Sequence, residues 1–183
     1  MDPLLRPELT RVVLTGSESV GKTTLARELA AHYGVEYVPE FVREYATTKA
    51  GPLDFRDHGP IAHGQMALEN EYAARAGRLL FQDTDLVSTV VYCDHYFGRC
   101  PAFIVDAARE RRAHLYLLPT IDVPWVSDGI RDRGHRREEM HKLFAARLAD
   151  LGMNTVEIAG SRIHRLQSAI AAVDALLASR SDP

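Results

Sequence analysis

Within the 183 residues of the chain, GSESVGKTT from Gly16 to Thr24 has the types and spacing of a polyphosphate cradle, GxxxxGK[ST]. Gly16 and Gly21 permit positive dihedrals and close backbone approach, so successive amide N–H groups can point at phosphate oxygens. A helix starting at Lys22 would add its positive N-terminal end. Lys22 offers a point charge to the outer phosphates, and the Thr23 hydroxyl can ligate Mg²⁺. Gly16, Ser17, Glu18, Ser19, Val20, Gly21, Lys22, Thr23 and Thr24 are therefore expected to hold ATP.

Magnesium keeps most of its waters, so a carboxylate should stand at the end of a neighbouring strand. LLFQDTD supplies one: Asp83 is read as the second metal residue beside Thr23, with helix capping as its competing role. One of Thr84 and Asp85 should cap the helix that follows, leaving the other to face ligand.

A phosphate donor does not by itself define a reaction. Transfer to an alcohol needs a carboxylate near the acceptor hydroxyl, a pocket, and basic groups that close over the phosphates. In VEYVPEFVREY, Glu40 ends a strand at the carboxyl edge, where ligands of open α/β sheets bind. It is read as base or hydroxyl ligand, with Asp83 as the alternative base. Arg43, three residues on, can hold substrate or simply pair with Glu40. In PWVSDGIRDRGHRREE, Asp128 and Gly129 make a turn and Gly134 a second flexible point, so residues 125–137 read as a short arginine-rich lid. Arg131 is the first candidate for stabilising transition-state charge and Arg136 the second. Trp125, the single tryptophan, suits either stacking on a substrate ring or core packing.

Other uses of such a loop fit less well. A GTPase needs a guanine-reading [NT]KxD, and TTKAG at 47–51 lacks the Asp. Motors and AAA-type ATPases usually need more chain for a helical lid domain and coupling elements. The alternatives left open are a nucleotide-dependent regulatory ATPase, and a kinase for another nucleoside-like or vitamin alcohol.

The elements that must position these groups alternate along the chain. β-rich runs at 11–16, 35–40, 78–84, 113–119 and 154–160 are separated by helical patterns at 22–33, 61–77, 85–97, 102–111, 135–150 and 162–179. Strands joined by helices mean right-handed crossovers, hence a three-layer α/β fold with a five-stranded parallel sheet covered by helices on both faces. In the last helix Ile163, Leu166, Ile170, Val173 and Leu177 form the stripe expected to pack on the sheet. TTKAGPLDFRDHGP, 47–60, is expected to be one long irregular loop. The length suits a single domain over 1–183, with 1–10 as an N-terminal extension.

Composition narrows the partners. Hydrophobic residues make up 46% and no apolar run approaches the roughly 18 residues of a membrane span, so no membrane partner is expected. A net charge of −3 argues against a nucleic-acid surface and favours a local anion site at Arg131, Arg133, Arg136 and Arg137. Cys93 and Cys100 are too few for a disulfide framework and match no zinc pattern, and the N-terminus has no basic-then-apolar leader. A cytoplasmic protein acting on a small molecule is the expectation.

In combination, GSESVGKTTL, EFVREY, QDTD and PWVSDGIR resemble the ribosylnicotinamide kinase domain of the bifunctional NadR proteins, in the same order and spacing over most of the chain. The resemblance implies a P-loop kinase fold that transfers the ATP γ-phosphate to the 5′-hydroxyl of nicotinamide riboside. It also implies that Lys22 and Thr23 hold ATP and Mg²⁺, Glu40, Arg43 and Tyr45 line the riboside pocket with Trp125, Asp83 serves the metal, Asp85 meets ribose hydroxyls, and Arg131 belongs to the lid. Two departures are visible. About ten residues precede the first strand, so the resemblance carries over neither the adenylyltransferase nor the helix-turn-helix activity, and position 39 is Pro where the family pattern carries an aromatic.

Overall fold

The structure, a computed structural model, describes residues 2–49, 51–122 and 136–181. All five expected strands form: β1 (Thr10–Leu14), β2 (Tyr37–Val38), β3 (Leu79–Asp83), β4 (Leu115–Pro119) and β5 (Thr155–Ile158). They are parallel throughout and lie in the order β2-β3-β1-β4-β5. β1 is thus central, and its register sets Leu14 beside both Asp83 and Leu117. Whatever leaves the end of β1 must meet the ends of β3 and β4.

Seven α-helices are described: α1 (Lys22–Tyr33), α2 (Phe41–Thr48), α3 (His58–Arg75), α4 (Leu86–Phe97), α5 (Ala102–Glu110), α6 (Arg137–Asp150) and α7 (Arg162–Ser181). The sheet's period-two alternation divides them. Val12, Leu14, Leu115 and Leu117 point to a layer formed by α1 and α7, whereas Val13, Tyr116 and Leu118 point to one formed chiefly by α4, α5 and α6. Every residue of β1, β3 and β4 is buried, as expected where helices cover both faces of a parallel sheet.

Two expectations change. The loop set at 47–60 is shorter: α2 runs through Thr48, a 3-10 turn covers Phe55–Asp57, and α3 already begins at His58. Asp54 and Asp57 cap that turn reciprocally, a local arrangement the run of polar residues conceals. In α7, Ile163 is 68% exposed, and the fully enclosed positions are Arg165, Ala169 and Val173, one every four residues. The apolar stripe begins at Leu166 rather than Ile163, because the first buried position of the seam holds an arginine with polar partners of its own. Residues 125–135 of the expected lid, with Trp125 and Arg131, lie outside the described residues. Among the described residues no helix is long and apolar enough to cross a membrane.

Candidate active site

The end of β1 opens into the glycine loop. Gly16 has φ +125°, and a Cβ there would stand 2.9 Å from Leu118 Cδ1, so conformation and space both exclude a side chain. Ser19 (φ 54°) and Gly21 (φ 86°) also lie in the left-handed region, and Gly21 hands the chain to α1. Lys22 is buried, with Nζ donating to the carbonyls of Gly16 at 3.0 Å and Ser17 at 2.7 Å. The ammonium therefore arches over its own loop, the place an anion would occupy.

Thr23 Oγ1 donates to Asp83 Oδ2 at 2.5 Å. The parallel register of β1 and β3 makes that contact possible, because it brings residue 83 level with the start of the loop. The other carboxylate oxygen, Asp83 Oδ1, is buried with no hydrogen-bond partner among the described residues. Burial pushes the Asp83 carboxyl above its ordinary value, opposed by the Thr23 hydrogen bond and the charges of Lys22 and Arg43 and reinforced by Glu40. A buried, half-satisfied carboxylate beside a hydroxyl is an oxygen donor set that suits a hard divalent cation. Asp83 does not cap α4. That role falls to Asp85, whose Oδ1 accepts from Val87 N at 3.0 Å.

Between Asp83 and Asp85, Thr84 adopts φ 74°, an unusual conformation for a β-branched residue that costs about 1–3 kcal/mol. It turns the chain sharply enough to bury Asp85 under α4. The Asp85 carboxylate also accepts from Tyr116 Oη at 2.8 Å, and burial pushes it up to about 6. Asp85 touches the cavity described next, but both of its oxygens are already engaged by the protein.

That cavity, about 750 Å³, opens between α2, the 51–53 stretch, α3 and α4. Glu40 and Arg43 enter it from α2, Gln65 and His58 from α3, and Glu18 from the glycine loop. Glu40 is 8% exposed and accepts from Arg43 Nε at 2.9 Å, so Arg43 pairs with Glu40 and also lines the cavity. The start of α2 is held from behind, where Phe41 N donates to Gln65 Oε1 at 3.0 Å. Gly64 leaves room for the Phe41 ring, which a Cβ at that position would overlap. Tyr45 is not among the cavity residues; its hydroxyl donates to Asp57 Oδ1 at 2.9 Å and braces α2 against the 3-10 turn.

Of the cavity wall formed by α4, the sequence pointed to Asp85 alone. Asp85, Ser88, Tyr92 and Tyr96 share one face of α4, and the Tyr92 and Tyr96 rings stack 6.0 Å apart, with Phe97 and His58 completing an aromatic surface. The signal was available as polar and aromatic residues at three- and four-residue steps in DTDLVSTVVYCDHYF. Aromatic surface therefore comes from α4, whereas position 39 is Pro. Arg136 pairs with Glu139 at 3.7 Å and borders a hollow with Ser17 and Glu18. Its neighbour Arg137, expected only as one of the arginine cluster, donates from Nη2 to Ser19 O at 3.4 Å.

A glycine loop between the central strand and α1, with an acidic residue ending the adjacent strand, defines a P-loop kinase fold. The chain belongs to the AAA domain family, whose model matches residues 11–165. It is 30% identical over 161 residues to the trifunctional NAD biosynthesis/regulator protein NadR of Escherichia coli (strain K12), an alignment covering 84% of this chain and 39% of that protein. A solved NadR protein in complex with NR superposes with a TM-score of 0.75 at 26% identity, over 90% of this chain and 50% of the solved one. A NadR complex with NAD and AMP-PNP gives a TM-score of 0.72 at 26% identity, over 90% and 48%. The chain thus spans 39% of the E. coli relative's length and about half of the solved chains. The resemblance read in the four sequence motifs is borne out over most of the chain.

Proposed function

We propose that this chain is an ATP-dependent small-molecule kinase that phosphorylates the 5′-hydroxyl of nicotinamide riboside to nicotinamide mononucleotide. The observation that carries the reading is the convergence of Lys22, Asp83, Glu40 and Arg43. Lys22, Glu40 and Arg43 all act on the Asp83 carboxyl, and Arg43 pairs with Glu40, at the seam between the phosphate loop and the cavity, where a donor phosphate and an acceptor hydroxyl would meet. The solved relative's complex with NR, nicotinamide riboside, supports that acceptor, and the complex with AMP-PNP supports ATP as donor.

In this reading the loop 16–24 cradles the triphosphate, and Lys22 leaves its own carbonyls for the outer phosphates. Thr23 and Asp83 would hold Mg²⁺, which when bound neutralises charge on the phosphates. Asp83 is buried beside Thr23 and fits the metal, whereas Glu40 faces the cavity, so Glu40 is assigned the proton of the acceptor hydroxyl. Arg43 orients the Glu40 carboxylate. Tyr92, Tyr96 and Phe97 offer faces to a flat, electron-poor ring. Asp85 holds the start of α4 and lines the cavity, and its proposed contact with ribose hydroxyls would have to share oxygens that already accept from Val87 N and Tyr116 Oη. Arg131, Arg136 and Trp125 are proposed to act from the 125–137 segment, and the sparse cysteines favour a cytoplasmic setting.

The test is to incubate the protein with ATP, Mg²⁺ and separately nicotinamide riboside, deoxynucleosides or thiamine, and to identify products by mass spectrometry. The expected product is nicotinamide mononucleotide. Phosphorylation of another alcohol would overturn the acceptor and keep the kinase; ATP consumed with water as the sole acceptor would favour the regulatory ATPase instead.

A further inference from the structure

A phosphate cradle has two sides. Where amide N–H groups converge on a ligand, the carbonyls of the same loop turn away from it, and each buried carbonyl needs a donor. Here the Gly16 and Ser17 carbonyls accept from Lys22, the Ser19 carbonyl from Arg137 Nη2 at 3.4 Å, and the Val20 carbonyl from Arg165 Nη1 at 2.7 Å. Lys22 is part of the loop. The two arginines come from α6 and α7, far along the chain.

Arg165 has the more complete set of partners. It is 5% exposed, and besides Val20 it donates from Nη2 to Thr120 O at 2.8 Å and from Nε to Gly160 O at 2.9 Å, while pairing with Asp122. One planar group thereby ties the phosphate loop to the segment leaving β4 and to the turn between β5 and α7. Asp122 fixes the guanidinium in return, its carboxylate also accepting from Gly160 N at 2.5 Å and Thr120 Oγ1 at 2.7 Å. The position continues toward Ala169 and Val173 on the buried seam of α7. A hydrophobic residue there would leave the Val20, Thr120 and Gly160 carbonyls and the Asp122 carboxylate without this donor. What an apolar residue cannot supply is three donors in a fixed plane.

We infer that Arg165 is a positioning residue for the nucleotide: it anchors the Val20 carbonyl behind the loop so that the loop's amides stay aimed at the phosphates. It reaches the ligand only through the loop. The inference rests on the reading of ATP as the donor, and it is independent of which alcohol accepts the phosphate.

The experiment compares wild type with Arg165→Met and Arg165→Lys in three measurements: calorimetric affinity for AMP-PNP with Mg²⁺, separate KM values for ATP and acceptor, and the thermal unfolding midpoint. Arg165→Met is expected to weaken AMP-PNP binding and raise the ATP KM by about 10-fold or more, the loss attending one or two buried hydrogen bonds. The acceptor KM should move by less than about 2-fold. Lysine keeps the charge but cannot span all three carbonyls, so Arg165→Lys should fall between the two. Unchanged AMP-PNP affinity in a folded Arg165→Met protein would overturn the inference. So would a lowered midpoint with only a loss of active fraction, both KM values staying put. If Arg165→Met does not fold, Arg165→Lys decides by the same criteria. AMP-PNP binding needs no acceptor, so a failed riboside assay leaves this result standing, whereas wild-type protein that does not bind AMP-PNP overturns both this inference and the kinase reading.

Discussion

The phosphate loop and the acceptor cavity lie at the same end of the sheet but are made in different ways. The proposed donor half is one continuous stretch, 16–24, shaped by its glycines and finished by Asp83 on the adjacent strand. The proposed acceptor half is assembled from side chains spread over α2, the 51–53 stretch, α3, α4 and the loop tip at Glu18. A backbone cradle tolerates only certain residue types at certain spacings, so it leaves a motif. A side-chain cavity asks only that suitable groups converge, and many sequences achieve that. The two halves also differ electrostatically: the donor half concentrates cations at the loop, and the acceptor half sits above buried carboxyls at Asp85 and Glu69.

The largest effect should come from the donor half. Lys22→Ala is expected to lower turnover by about 1,000-fold, the upper range for losing one group that stabilises transition-state charge, while acceptor binding measured by calorimetry persists. Substantial turnover in that variant would remove the loop from the chemistry and dissolve the division into halves. Glu40→Gln tests the opposite side and should lower phosphoryl transfer by roughly 100-fold in single-turnover assays, with AMP-PNP affinity unchanged. Wild-type transfer would leave Asp83 as the remaining candidate base.

A subtler probe is Gly64→Ala. The added methyl overlaps the Phe41 ring, so α2 must shift and carry Glu40 and Arg43 with it. Overpacking of this kind costs about 1–3 kcal/mol of stability, and the acceptor KM should rise by about 10-fold while the ATP KM does not. Equal changes in both constants would mean that the halves are not separately supported.

The smallest effect concerns pH. Glu69, behind the cavity residue Gln65, is shut off from solvent: its carboxylate accepts from Arg111 at 3.1 Å and Gln65 at 3.4 Å, and burial pushes it up to about 7 in spite of the Arg111 charge. Its folded value lies above its unfolded one, so its contribution to stability is fully present below about 4.5 and is lost as pH rises through about 7. Asp85 acts in the same direction through about 6. Glutamine mimics the protonated form, so the unfolding midpoint of Glu69→Gln should gain on wild type by about 5 °C between roughly pH 5 and pH 8. A parallel pair of midpoint curves would show that Glu69 ionises normally in the fold.

Much of the frame was legible because it obeys local rules. The five strands and six of the helices follow from period and apolar content, and Gly21, Lys22, Thr23 and Asp83 from the needs of a phosphate and its metal. Glu40 was legible from its place at a strand end. The helix Phe41–Thr48 was not, since its buried support comes from Gln65 and Gly64 across the fold rather than from an apolar stripe of its own. Tyr45 shows the reverse: the resemblance set it at the riboside pocket, yet the turn of α2 directs its hydroxyl to Asp57.

By itself, then, the sequence determined the parallel α/β frame and the donor half, because a glycine cradle and a strand-end carboxylate are demanded by backbone geometry over a few residues. Tertiary structure alone decided which faces of α2, α3 and α4 confront one another, and that an arginine of α7 stands behind Val20. Those outcomes depend on contacts between segments as many as 145 residues apart, and contacts at that separation leave no period to read.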